Sequence, residues 1–123
     1  MYQLGTHREF IARHFLIGGD FGAENFEHSH GYRLEVILRG AELDVHGYLV
    51  DLNELESAVE EVVALYREQL LNETPAFSGL NPSIEHFSRI LHHALTDRLG
   101  RGTLNLRVKL WENHRDWAGY GPE

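Results

Sequence analysis

The sequence predicts an α+β domain, in which an antiparallel sheet carries two helices packed on one face. Two kinds of periodicity support this prediction. Apolar and polar residues alternate in the first third and near the end of the chain, as they do in half-buried strands. The middle of the chain instead repeats apolar residues every three or four positions, as amphipathic helices do. At 123 residues, the chain is expected to form a single domain over residues 1–123.

The first third of the chain predicts two strands. Residues 3–17 alternate loosely, and the glycines among residues 18–22 then favour a turn. Residues 30–39 give the strongest strand signal, because every second residue from Tyr32 to Leu38 is apolar. Side chains two apart on a strand point to the same face, so this strand is expected to bury one face.

Helix signals follow after residue 50. Asp51 is a candidate N-cap, and the apolar face that begins beyond it continues to about Asn72. Asn81 or Ser83 can cap the second helix, because both residue types accept hydrogen bonds from free N–H groups. Gly100 and Gly102 are expected to end it.

The last part of the chain predicts two more strands. Residues 103–112 alternate strictly, and a short edge strand is expected at residues 117–120. The polar side chains of Asn105, Arg107 and Lys109 would lie on the sheet face away from the helices. That face either meets water or lines a barrel made by several subunits.

Composition excludes several classes of function. The formal net charge of −8 argues against a nucleic-acid partner, which needs a basic surface. No apolar run is long enough to span a bilayer and no signal-peptide pattern is present, so we expect a cytoplasmic protein that does not associate with membranes. The absence of cysteine excludes disulfides and thiol chemistry.

A histidine pair is the strongest chemical signal in the chain. His28 and His30 are two residues apart at the start of a predicted strand, so their side chains share a face. His14 in the preceding strand can supply a third nitrogen. Three imidazoles with one open position are typical of a catalytic zinc site. The carboxylates Glu24 and Glu27 lie just before the pair.

Six segments resemble, in order and spacing, those of one enzyme family. They are residues 10–14, residues 28–32, residues 47–52, Leu71-Asn72, residues 82–86 and residues 108–112. Together they resemble the 6-pyruvoyl-tetrahydropterin synthase and 6-carboxy-tetrahydropterin synthase family over nearly the whole chain.

The resemblance implies a tunnelling fold (T-fold) and a homohexamer of two trimers, with active sites between subunits. It implies Zn²⁺ on His14, His28 and His30, and a dihydropterin substrate such as 7,8-dihydroneopterin triphosphate. It also implies that Glu112 anchors the pterin ring. A carboxylate suits this partner, because the 2-amino group and N3–H present two parallel donors.

Two parts of the family pattern differ here. Glu24 stands where most members have a catalytic cysteine, and Arg67 and Glu68 stand where they have an Asp-His pair. Some members instead carry a glutamate near the histidine pair and cleave the side chain to leave a 6-hydroxymethyl pterin. Glu24 matches that glutamate by its offset, and Glu27, next to His28, is the alternative.

The resulting interpretation is a zinc-dependent lyase or synthase that acts on the C6 side chain of a dihydropterin. Two alternatives remain open. One is a homologue that binds zinc and a pterin or purine-like ligand without the synthase activity. The other is a zinc hydrolase that uses a different substrate in the same pocket.

Overall fold

The chain forms a four-stranded antiparallel sheet with two helices, which confirms the predicted α+β class. The computed structural model describes residues 1–100 and 105–122. The strands lie in the order β1-β2-β3-β4 across the sheet. In chain order the elements are β1 (Tyr2–His14), β2 (His28–Gly40), α1 (Leu52–Ala64), α2 (Ile84–Leu99), β3 (Asn105–Trp111) and β4 (Trp117–Tyr120). Within these described residues, no helix is long and apolar enough to cross a membrane.

Strands β1 and β2 form a long hairpin. Tyr2 pairs with Gly40 at one end, and His14 pairs with His28 at the other. The first strand is shorter than predicted, because the backbone leaves the ladder after His14. The next two N–H groups bond elsewhere, at 2.9 Å to the side-chain oxygen of Asn72 and at 2.8 Å to the carbonyl oxygen of Glu24. The hairpin therefore ends at the histidines.

Both helices begin at side-chain caps. An oxygen of Asp51 accepts the N–H of Asn53 at 2.9 Å, and the hydroxyl of Ser83 accepts the N–H of His86 at 3.1 Å. Each cap satisfies one N–H that a helix start leaves free. Helix α2 ends at Gly100, whose φ of 57° is the left-handed conformation that glycine adopts without strain. These caps confirm the predicted helix starts and identify Ser83 as the cap of α2.

The predicted end of the first helix is wrong. Helix α1 stops at Ala64 rather than near Asn72. The following residues turn back to the outer edge of β1, where the N–H of Glu68 donates to the carbonyl oxygen of Ile11 at 2.7 Å. The N–H of Arg13 donates to the carbonyl oxygen of Gln69 at 2.9 Å. Pairing with the sheet edge therefore overrides the helical pattern of the sequence.

Aromatic rings form the centre of the core. The ring of Phe87 packs edge-on against four others, with centroids 6.0 Å from Phe10, 5.2 Å from Tyr32, 5.3 Å from Tyr66 and 5.3 Å from Phe77. Burial of one such side chain contributes about 1.5–3 kcal/mol to folding. Because these rings pack against one another, they hold the helix-facing side chains of β1 and β2 in fixed positions.

The opposite sheet face is polar, as predicted. Asn105 is exposed and Lys109 is half-buried, because its ammonium lies 4.0 Å from the ring centroid of Trp117. The strand predicted at residues 103–112 is found as β3, Asn105–Trp111. Its predicted residues 103–104, and Gly102 before them, lie outside the described part of the chain. The predicted edge strand at Trp117–Tyr120 is confirmed.

Candidate metal centre

Three histidines meet on the helix-facing side of the β1–β2 hairpin. His14 lies directly opposite His28 in the ladder, and His30 lies opposite Ala12. The ring centroids are separated by 4.6 Å for His14 and His28, by 4.7 Å for His14 and His30 and by 4.9 Å for the remaining pair. One nitrogen from each ring lies within 4.8 Å of the other two. This cluster can therefore hold a metal ion at a single point.

Hydrogen bonding shows which nitrogen of His28 is available. Its Nδ1 lies 2.8 Å from the carbonyl oxygen of Phe26. A carbonyl only accepts, so Nδ1 must carry the hydrogen and donate it, and Nε2 keeps its lone pair. Nε2 is buried and has no hydrogen-bond partner among the described residues. A buried nitrogen without a partner is costly, so the cluster fits a metal ligand set.

The environment keeps His14 neutral. The side chain is only 3% exposed. Burial, followed by the charges of His30 and His28, lowers its pKa to about 4. A histidine must be deprotonated to bind a metal. At neutral pH, His14 can therefore act as a ligand without first losing a proton.

Two predicted carboxylates lie near these histidines. Glu112 follows β3 and is half-buried, and burial raises its pKa. The charge of His30 lowers that pKa, whereas the charges of Glu24, Asp116 and Glu85 raise it further. Glu24 lies in a short 3-10 helix at Gly22–Asn25. Its charge effect means that it lies within electrostatic reach of Glu112.

Glu27 is positioned differently. Its carboxylate lies 2.7 Å from a guanidinium nitrogen of Arg13. Arg13 alternates with His14 along β1 and so belongs to the opposite sheet face. The charges of Glu24 and His30 both act on Glu112, whereas Glu27 forms an ion pair with Arg13 on the other sheet face.

Sequence comparison identifies the family. The profile of the 6-pyruvoyl tetrahydropterin synthase family matches residues 3–123. The chain belongs to this family. Membership confirms the family suggested by the six sequence segments. A comparison with curated protein sequences gives no significant match.

Solved 6-pyruvoyl tetrahydropterin synthases have the same fold. The Caenorhabditis elegans enzyme superposes with a TM-score of 0.87 at 20% identity, over 99% of this chain and 96% of that one. The Plasmodium vivax enzyme gives a TM-score of 0.81 at 16% identity, over 99% of this chain and 98% of that one. A P. vivax variant, in which a glutamate described as catalytic is replaced by alanine, gives 0.82 at 17% identity over the same shares. At these identities, the likeness establishes the T-fold of the subunit.

Tyr32 is a site residue that the sequence interpretation treated only as core. Its hydroxyl lies 3.0 Å from Nδ1 of His14. Burial and the charge of Glu112 raise the pKa of this phenol, which stays protonated at neutral pH. The signal was present in the sequence, since Tyr32 has the same strand parity as His28 and His30.

A cavity of about 830 Å³ is lined partly by Arg67 and Glu68, and Tyr32 also lines it. The guanidinium of Arg67 lies 2.8 and 2.9 Å from the two carboxylate oxygens of Glu60. Trp111 and Arg33 form other parts of the cavity wall. Arg67 and Glu68 thus lie at a concave surface.

Proposed function

We propose that this protein is a zinc-dependent lyase or synthase acting on the C6 side chain of a dihydropterin, such as 7,8-dihydroneopterin triphosphate. One observation carries the proposal: the buried Nε2 of His28 lacks a partner among the described residues and lies in a cluster with His14 and His30. Family membership then favours a pterin as the substrate class.

The three histidines would hold Zn²⁺ and leave a position open to substrate. A bound zinc supplies Lewis acidity to hydroxyl or carbonyl oxygens of the substrate side chain. The lowered pKa of His14 keeps that ligand available at neutral pH.

Glu24 is our preferred proton-transfer residue, and Glu27 is the alternative. A carboxylate can remove a proton from the side-chain carbon C1′ or C2′ and return it to another atom. The interaction of Glu24 with Glu112 supports its position at the site, whereas Glu27 is engaged with Arg13. The related P. vivax enzyme, with a glutamate described as catalytic, supports a carboxylate in this role. The product would be a 6-carboxy, 6-pyruvoyl or 6-hydroxymethyl pterin.

Glu112 would anchor the pterin ring. In its ionised form, its two oxygens can accept from the 2-amino group and N3–H of the pterin. Partial burial raises the pKa of Glu112, whereas the nearby charge of His30 lowers it and favours the ionised form. The pterin would thereby be oriented with its C6 side chain toward the histidines.

We further propose a single-domain subunit that assembles in the cytoplasm as a hexamer of two trimers, with sites between subunits. The outer edge of β1 supports this assembly. Residues 68–70 pair with Ile11 and Arg13 at one end of that edge. No other backbone pairing occupies the edge between Gln3 and Glu9 in the described chain, so a strand from another subunit can pair there.

Zinc analysis and turnover test the proposal together. Wild type and His46→Ala, which changes an exposed histidine away from the cluster, should purify with about one zinc per chain. His28→Ala should lose the zinc. Wild type should convert 7,8-dihydroneopterin triphosphate to a product altered at C6, and His28→Ala should not. Wild type without zinc, or zinc retained by His28→Ala, would contradict the metal assignment.

A second candidate is a family member that binds zinc and a pterin or purine-like ligand without turning it over. The complete absence of cysteine favours this alternative, because the thiol usual in the family is missing. Tight dihydropterin binding by zinc-loaded wild type, with no turnover, would select it over the lyase.

A further inference from the structure

Tyr32 is held rigidly beside the metal cluster. It is 1% exposed, and its ring centroid lies 5.4 Å from Phe10 and 5.2 Å from Phe87. Its hydroxyl lies 3.0 Å from Nδ1 of His14. The surrounding rings prevent the phenol from turning away, so this contact is a fixed feature of the core.

We propose that Tyr32 is a positioning residue that holds His14 in the metal-binding tautomer, with Nδ1–H donating to the phenol oxygen. This inference rests on the proposed zinc function. A neutral imidazole carries one hydrogen, so placing it on Nδ1 leaves the lone pair on Nε2. Metal-binding histidines usually donate their other ring N–H to a second group, which fixes the orientation of the ring.

The three histidines differ in how they are oriented. His28 donates to the backbone carbonyl of Phe26, a group that every residue type provides. His14 contacts a side-chain hydroxyl, which one substitution can remove. The described residues supply no hydrogen bond to the ring of His30. Tyr32 is thus the one side chain of the described structure through which hydrogen bonding orients a ligand of this cluster.

Tyr32→Phe tests this role, because it removes one oxygen and keeps the ring. Tyr66→Phe is a matched control, since Tyr66 is also buried and also packs against Phe87. Zinc affinity is measured by competition with a chromophoric chelator. Tyr32→Phe should weaken zinc binding about 10–100-fold. Tyr66→Phe should bind zinc as tightly as wild type, which separates positioning from a general loss of stability.

Nitrogen-15 NMR of the His14 ring provides a readout that a purely structural role would not change. Metal-free wild type should show a predominant Nδ1–H tautomer, and Tyr32→Phe should show a mixture of both tautomers. Zinc-loaded wild type should bind the metal through Nε2 of His14. Binding through Nδ1 would overturn the proposal without any variant, even if Tyr32→Phe fails to fold.

Two failures can be distinguished. If Tyr32→Phe keeps both the zinc affinity and the His14 tautomer of wild type, the positioning role is wrong and the metal site stands. If wild type does not bind zinc, the proposed function fails, and the positioning role that rests on it fails as well.

Discussion

A guanidinium nitrogen of Arg13 lies 2.7 Å from the carboxylate of Glu27, and a second nitrogen lies 3.2 Å from the carbonyl oxygen of Glu68. Arg13 therefore links β1 to the residue before the histidine pair and to the segment after α1. This contact distinguishes the two candidate carboxylates, because the side chain of Glu24 forms no ion pair within the described residues.

Substitutions of Glu24 and of Glu27 should have different effects on activity. Glu24→Gln should lower kcat for 7,8-dihydroneopterin triphosphate about 10²–10⁴-fold, because an amide cannot accept the proton. Glu27→Gln should retain activity and lose only about 0–1 kcal/mol of stability, since its ion pair is exposed. Steady-state kinetics and urea unfolding measure both effects. Loss of turnover in Glu27→Gln alone would reverse the assignment.

Glu112→Gln should weaken dihydropterin binding about 10–100-fold, because an amide offers one acceptor where the ring presents two donors. Zinc content should remain that of wild type. Isothermal titration with a dihydropterin checks this prediction. Asp116→Asn is the control, since this exposed carboxylate already accepts from Asn113 at 2.9 Å. Equal effects of the two substitutions would exclude an anchoring role for Glu112.

Glu68 has a φ of 61°, a left-handed conformation that disfavours residues with a side chain. Glu68→Gly should therefore be more stable than Glu68→Ala by about 1 kcal/mol. Both variants lose the carboxylate, so their difference isolates the backbone conformation. Urea unfolding at neutral pH measures it. Equal stability of the two variants would show that this conformation is relaxed in solution.

His92 should make the protein sensitive to mild acid. Its Nε2–H donates to the carbonyl oxygen of Leu106 at 2.8 Å, and its buried Nδ1 has no partner in the described structure. Burial lowers the pKa of His92, the bond to Leu106 raises it, and the charge of His93 lowers it. Because burial is the largest of these effects, the pKa of His92 is lower in the folded chain than in the unfolded chain. On acidification the unfolded chain therefore binds a proton at His92 at a higher pH than the folded chain does. The free energy of unfolding should fall as the pH drops below about 6.5.

The urea midpoint between pH 7.5 and pH 5 checks this effect in metal-free protein. His92→Gln should lose less stability on acidification than wild type, and His46→Gln, which changes an exposed histidine, should behave as wild type. The other groups facing His92 are the rings of His93 and Tyr120, with centroids at 5.8 and 5.0 Å. An unchanged acid response in His92→Gln would contradict the prediction.

Local patterns were sufficient to predict much of the fold. The parity of Tyr32 to Leu38 predicted a half-buried strand, and the candidate caps, Asp51 for α1 and either Asn81 or Ser83 for α2, predicted the helix starts. The end of α1 could not be predicted, because it depends on hydrogen bonds from residues 68–70 to a strand far away in sequence. Such tertiary pairing leaves no periodic signal.

The candidate site was likewise predictable only in part from local sequence patterns. His28 and His30 share a face by strand parity alone, whereas His14 joins them only because the hairpin register places it opposite His28. The contact from Tyr32 to His14 depends on the same register. Glu24 and Glu112 were predicted from the family resemblance, since their approach depends on how loops fold over the sheet end.

The pairing of His14 with His28 also affects folding fidelity. A one-residue slip of β1 against β2 would move His14 to the other sheet face and separate it from its partners. A metal that needs all three histidines binds only the correctly aligned hairpin, and binding stabilises the form that binds. Metal binding would thus shift the equilibrium between alternative strand registers toward the one in which His14 lies opposite His28.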